Sequence, residues 1–219
     1  MQTKEPTIST EMTPQSWEYA ESYIGEDEVV AAARIRGAEV GATPISSGGG
    51  SVLRFLASVT GARSVVEVGT GAGVSGLWLL RGMQADGVLT SVDIEAEHQR
   101  LARETFTDAE MPPQRYRLIS GPALDVLPRL TDNHYDLIFV DAAKDEYVGY
   151  LDEAARLLRP GGVVAFDNAL WHGKVADPAQ RDAETTVVRE LGRTMRGDER
   201  FLSMLLPVGD GLLVAQKAG

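Results

Sequence analysis

Five short apolar runs recur along the chain: 64–68 (SVVEV), 88–93 (VLTSVD), 115–120 (RYRLIS), 135–140 (YDLIFV) and 163–166 (VVAF). Each is rich in β-branched or aromatic residues and bounded by turn residues, the pattern of a strand buried on both faces of a parallel sheet. Between them, at 74–80, 95–109, 122–130 and 144–158, apolar positions fall three or four apart, which predicts helices. Arg159-Pro160-Gly161-Gly162 stops the last of these. A charged amphipathic stretch at 178–195 predicts another helix. The runs 201–206 and 212–216, joined through Pro207-Val208-Gly209-Asp210-Gly211, predict a closing β-hairpin. Upstream, Thr13-Pro14 reads as a helix start, with helices at 16–24, 26–42 and 51–59. Thr43-Pro44 breaks the second, and 45–50 reads as a loop of small residues. The alternation implies an α/β fold: a mostly parallel sheet with helices on both faces, a C-terminal antiparallel hairpin, and N-terminal helices in front.

At 219 residues this is most simply one domain, with 43–219 as a Rossmann-like core and 1–42 as a helical cap. The cap reads as a solvated surface; the sharper alternative is part of a substrate lid or a dimer surface. Hydrophobic content is 43% and no apolar run reaches membrane-span length, so no membrane partner is expected. The first fifteen residues lack the basic start and apolar core of a signal peptide. Cysteine is absent, which excludes disulfides, thiolate catalysis and cysteine-bound zinc and makes a cytoplasmic enzyme the default. A net charge of −11 disfavours nucleic acid as a partner.

Gly69, Gly71 and Gly73 crowd the turn between the first strand and its helix, where unpaired helix N–H groups point at whatever sits above. Two ligands compete for such a turn. Gly71-Ala-Gly73-Val-Ser-Gly76 fits the dinucleotide fingerprint GxGxxG, a weak pattern in a chain with 23 glycines. Glu67, two residues before the first glycine, would repel a pyrophosphate but could hold the ammonium of an amino-acid ligand. Glu67-x-Gly69-x-Gly71-x-Gly73 resembles the S-adenosylmethionine loop of class I methyltransferases. Asp93, about twenty residues on, suits the ribose hydroxyls of either ligand.

Four strand runs end in acids, Glu67, Asp93, Asp141 and Asp167, so the carboxyl edge of the sheet is a row of carboxylates. Asp141, Asp167 and Asn168 offer three hard oxygen ligands from two adjacent strand ends, a set that suits Mg²⁺, with Ca²⁺ or Mn²⁺ as the other candidates. Taken singly, Asp141 reads equally well as a helix cap and Asp167-Asn168 as a turn. His98 and His134 read as surface, and His172 as a loop residue near the mouth.

The segments Glu67–Ser75, Asp93, Asp141–Tyr147 (DAAKDEY), Asp167–Val175 (DNALWHGKV) and Pro207-Val-Gly-Asp-Gly-Leu together resemble the cation-dependent O-methyltransferases, the group of the catechol and caffeoyl-coenzyme A enzymes. The likeness spans roughly 41–217, and Asp-x-x-Lys-Asp-x-Tyr paired with Asp-Asn-x-Leu-Trp is its specific part. It implies a Rossmann-like class I fold, methyl transfer from S-adenosylmethionine to a vicinal dihydroxy aromatic compound, a divalent cation, and a homodimer. Carried over by position, Glu67 and Asp93 would between them hold the ribose and amino-acid ends of the donor, a division the resemblance leaves open, with Ile94 flanking adenine. Gly69 and Thr70 would touch the donor through backbone, Ser75 would meet its carboxylate, and Ile45 falls where the family's upstream loop touches it. Asp141, Asp167 and Asn168 would bind the cation, with Asp141 close to both substrates, and Lys144 would be the general base. Tyr147 and Trp171 are candidates for the acceptor wall or ordinary core. Two departures stand out: Ala143 removes a bulky clamp beside Lys144, and Ala123 and Leu124 lack the polar side chains that read adenine in the catechol branch. The rival readings are an NAD-dependent Rossmann oxidoreductase, an RNA methyltransferase and a non-catalytic S-adenosylmethionine-binding protein.

Overall fold

In a computed structural model describing residues 12–219, seven strands form one sheet. They are β1 (Ser64–Val68), β2 (Val88–Asp93), β3 (Tyr116–Ser120), β4 (Tyr135–Val140), β5 (Leu158–Phe166), β6 (Phe201–Leu206) and β7 (Leu212–Lys217). Their order is β3-β2-β1-β4-β5-β7-β6, parallel from β3 to β5, with β7 antiparallel to both β5 and β6. The predicted mostly parallel sheet and closing hairpin are therefore present. The part of the cap and of the signal-peptide reading that falls on residues 1–11 lies outside the described residues.

The sheet's two faces bury alternate residues, as the period of a strand demands. Val65, Leu137 and Phe139 pack with α2 (Glu28–Glu39), α3 (Ser47–Val59), α4 (Val74–Gly82) and α5 (Ala96–Asp108). Val66, Ile138 and Val140 pack with α6 (Ala123–Val126), α7 (Tyr147–Leu157) and α8 (Ala183–Gly197). The remaining helix, α1 (Pro14–Glu21), buries no residue. Progress along the sheet reverses at β1, which pairs with β2 on one side and β4 on the other. Such a reversal opens a crevice at the carboxyl ends of the strands.

Several predicted boundaries differ, the first helix among them, which runs Pro14–Glu21 instead of 16–24. The 45–50 stretch is not all loop: α3 begins at Ser47, its first turn capped by the Ser46 hydroxyl, which accepts from the Gly49 N–H at 3.0 Å. Its glycines are there for close approach, since a Cβ at Gly50 would lie 2.4 Å from the Trp78 indole. The 26–42 helix is shorter, because the Asp27 carboxylate caps it at Val30 and the chain turns out after Glu39. Residues 159–162 do not separate helix from strand. They bulge within β5, whose pairing jumps from Tyr135↔Leu158 to Leu137↔Val163. The 178–195 helix starts later, at Ala183, where the Asp182 side chain accepts from the Thr185 N–H at 3.1 Å.

Candidate active site

A cavity of about 400 Å³ opens over the carboxyl ends of β1, β2, β4 and β5. A second, of about 290 Å³, adjoins it, and the two share Gly69, Asp93, His98, Asp141 and Ala142. Gly69 lets the strand ends come this close: its φ is +94°, and a Cβ there would meet the Asp141 carbonyl oxygen at 1.9 Å.

Asp93 shapes the glycine turn. Its Oδ2 accepts from the Thr70 and Gly71 N–H groups at 2.9 and 3.0 Å, and its Oδ1 from the Glu95 N–H at 2.9 Å. The His98 Nδ1 lies 3.1 Å from the same Oδ2. Asp93 is nearly buried yet lines both cavities, and its Oδ1, which accepts from one backbone N–H only, keeps a lone pair free.

Glu67 is placed differently from the expected ligand-facing position. It shares the parity of Val65 and so turns toward the α4–α5 layer, fully buried, and it lines neither cavity. Its Oε1 accepts from the Ser75 hydroxyl at 2.7 Å and its Oε2 from the Ser91 hydroxyl, its register partner on β2. Burial pushes its carboxyl up to about 7, against the two hydroxyl hydrogen bonds and with help from the charges of Asp93 and Asp141.

Beside the loop, the Lys144 Nζ donates to the Asn168 Oδ1 at 2.7 Å and to the Tyr147 Oη at 2.5 Å, and stands 3.4 Å from the Asp141 Oδ1. The Tyr147 hydroxyl donates to the Asp167 carbonyl at 3.1 Å. Asn168 adopts φ +57°, and the Asp167 Oδ1 accepts from its N–H at 2.8 Å. Burial, then the Asp141 charge, lifts the Asp167 carboxyl to about 7. Burial also raises Asp141, with Lys144 opposing. Asp167 is buried and Asp141 lines both cavities; with the Asn168 amide oxygen they are hard oxygen donors of the kind a small dication takes. Among the described residues, no group of three or more histidine, cysteine, aspartate or glutamate side chains is placed to hold a metal.

Of the residues singled out from sequence, Ile45, Gly69, Thr70, Ser75, Asp93, Asp141, Lys144, Asn168 and Trp171 line the larger cavity. Ile94 and Ala123 line the smaller. Asp167 and Tyr147 line neither, and Tyr147 is wholly buried. The Thr70 hydroxyl also turns inward, 2.6 Å from that of Ser91. His98, read as surface, instead lines both cavities. It sits five residues after Asp93, on the first turn of α5, a spacing that returns a side chain over the strand end. Asp210 was not singled out from sequence as a site residue. Both its oxygens accept from the His172 N–H, at 2.7 and 3.0 Å, tying the β6–β7 loop to the cavity mouth.

A family model described as O-methyltransferase matches residues 25–218. A Mycolicibacterium vanbaalenii protein, by name a candidate O-methyltransferase, is 48% identical over 213 residues, covering 97% of this chain and 94% of its own length. The crystal structure of the O-methyltransferase TomG of Streptomyces achromogenes, involved in tomaymycin synthesis and solved with SAM, superposes with a TM-score of 0.83 at 30% identity. It covers 94% of this chain and 96% of its own. An O-methyltransferase of Bacillus cereus in complex with SAH gives 0.83 at 27%, covering 94% and 98%.

Proposed function

From the membership of this chain in the O-methyltransferase family, as an enzyme dependent on S-adenosylmethionine, we propose cation-assisted methylation of one hydroxyl of a vicinal dihydroxy aromatic compound. The observation that carries this reading is the meeting of Lys144, Asp141 and Asn168 beside the Gly69 turn. In this reading residues 1–219 are one methyltransferase domain, a cytoplasmic homodimer, with 1–42 capping the core.

S-adenosylmethionine supplies an electrophilic methyl group on sulfur. A divalent cation held by Asp141, Asp167 and Asn168 would supply positive charge that lowers the pKa of a nearby hydroxyl. The chain's own residues do the rest. Asp93 fixes the glycine turn through two N–H groups on Oδ2 and offers the free lone pair of Oδ1 to a ribose hydroxyl. Glu67 acts through Ser75: its Oε1 accepts a hydrogen bond from the Ser75 hydroxyl, which leaves the Ser75 backbone N–H at the start of α4 to meet the donor's carboxylate. Ile94 and Ala123 give adenine an apolar slot. Trp171 walls the acceptor end, and Asp141, facing both cavities, stands between donor and acceptor. Lys144 accepts the acceptor's hydroxyl proton while the oxygen attacks the methyl carbon and the C–S bond electrons return to sulfur. Positioning of this kind contributes on the order of 7–11 kcal/mol in favourable systems.

The test is methyl transfer from labelled S-adenosylmethionine to catechols, caffeoyl esters and flavonoids, with and without Mg²⁺. Turnover confined to vicinal diols is the expected result. Equal turnover of lone phenols would remove the diol from the proposal.

A further inference from the structure

Lys144 is more fully engaged than a waiting base needs to be. Three acceptors surround its Nζ: the Tyr147 Oη at 2.5 Å, the Asn168 Oδ1 at 2.7 Å and the Asp141 Oδ1 at 3.4 Å. The Tyr147 hydroxyl donates its one hydrogen bond to the Asp167 carbonyl, so toward Lys144 it can only accept. Three acceptors match the three protons of an ammonium group. Two of them, on Asp141 and Asn168, belong to the trio proposed to hold the cation. A dication at roughly 2.0–2.6 Å from those oxygens would take the electron pairs that now face Nζ, and like charges so close repel.

We propose that Lys144 is the placeholder of the cation site: seated by Tyr147, its ammonium holds the Asp141 and Asn168 oxygens until a divalent cation displaces it. The inference rests on the cation-dependent reading above and adds an exchange step to it. Tyr147 thereby becomes a positioning residue, which accounts for a buried tyrosine whose hydroxyl bridges Asp167 and Lys144. Nζ also lies 5.4 Å from the centroid of the Trp171 ring, so a second aromatic side chain flanks the ammonium. Lys144 borders the larger cavity, which gives the displaced side chain room on the acceptor side.

The experiment is an Mn²⁺ titration of the purified full chain, with free Mn²⁺ read by electron paramagnetic resonance at fixed pH and ionic strength. Wild type, Lys144→Met and Tyr147→Phe are compared. Both variants are expected to bind Mn²⁺ on the order of tenfold more tightly, the scale of one lost hydrogen bond to a charged group. A gain in Lys144→Met alone overturns the proposal, because removing one positive charge explains it without a seat. No gain in either variant overturns the placeholder while the wild-type affinity upholds the cation site. Absence of Mn²⁺ binding in all three overturns both. A measurement on the wild type needs no folded variant other than the one used for assignment. The Lys144 side-chain ¹⁵N resonance, assigned by its loss in Lys144→Met, should shift on adding Mg²⁺. A resonance unmoved at saturating Mg²⁺ overturns the proposal.

Discussion

Glu67 is pushed from 4.5 up to about 7 chiefly because its carboxylate lies out of water. Below 4.5 the folded and unfolded chains both hold this proton. As the pH rises toward 7 only the unfolded chain releases it, so folding stability falls across that window, by on the order of 3 kcal/mol. We predict that Glu67→Gln flattens the decline of melting temperature between pH 5 and pH 7.5, with Asp167 and Asp141 keeping their own share of it. It should leave S-adenosylhomocysteine affinity within a few-fold. An unchanged pH profile, or abolished binding, contradicts the buried placement. Asp93→Ala should weaken that binding by about 1–3 kcal/mol, because the carboxylate both holds the turn and faces the cavity; calorimetry measures it, and unaltered affinity would remove the ribose assignment. Lys144→Met should lower turnover by about 10²–10⁴ at undiminished donor affinity. An unchanged pH–rate profile would leave Lys144 without a role as base. Residue types and spacings were legible in the sequence, but orientation was not. Whether Glu67 faces the loop or the helices depends on strand parity relative to a layer that only the fold defines. The sequence does carry one hint, the hydroxyl of Ser91 across the register.

The strands were the most legible elements, because a run buried on both faces needs no partner to be recognised. β1, β2, β4 and β6 match their predicted bounds. The helix starts were less so. Three consecutive glycines argue for a loop by intrinsic propensity, yet α3 runs through them because its first turn must pass against Trp78. Two substitutions separate propensity from packing. Gly50→Ala should destabilise the protein by about 1–3 kcal/mol, since its Cβ has no room beside the indole. Gly192→Ala, inside α8 with nothing within 4 Å of the added methyl group, should stabilise it by about 0.5–1 kcal/mol. Urea unfolding of both variants checks the pair, and a neutral Gly50→Ala would show that α3 tolerates a wider gap from α4.

At the scale of the whole molecule, the reversal of the sheet at β1 brings the glycine turn, Asp93 and the Asp141–Lys144 segment to one crevice. The acids Asp93, Asp141 and Asp167 at three strand ends already marked that edge in the sequence, whereas Glu67 turns away from it into the helix layer. Asp210 gripping the His172 N–H joins segments 38 residues apart, and no local pattern encodes it. His98 closing on Asp93 and Tyr147 withdrawn beneath Lys144 are contacts within one strand-to-helix turn, whose spacing was there to read but whose side-chain directions were not. The edge repels itself, since Asp141 raises Asp167 while Lys144 alone lowers Asp141. That imbalance is the physical reason to expect a dication at work. The most direct measurement is the initial rate of methyl transfer to a catechol, first in excess chelator and then after Mg²⁺ is restored, for the wild type and for Asp167→Ala. We predict a rate lost in chelator and recovered with Mg²⁺ in the wild type, and no recovery in Asp167→Ala, which stays folded and still binds S-adenosylhomocysteine. Undiminished transfer in chelator would contradict the cation-assisted mechanism.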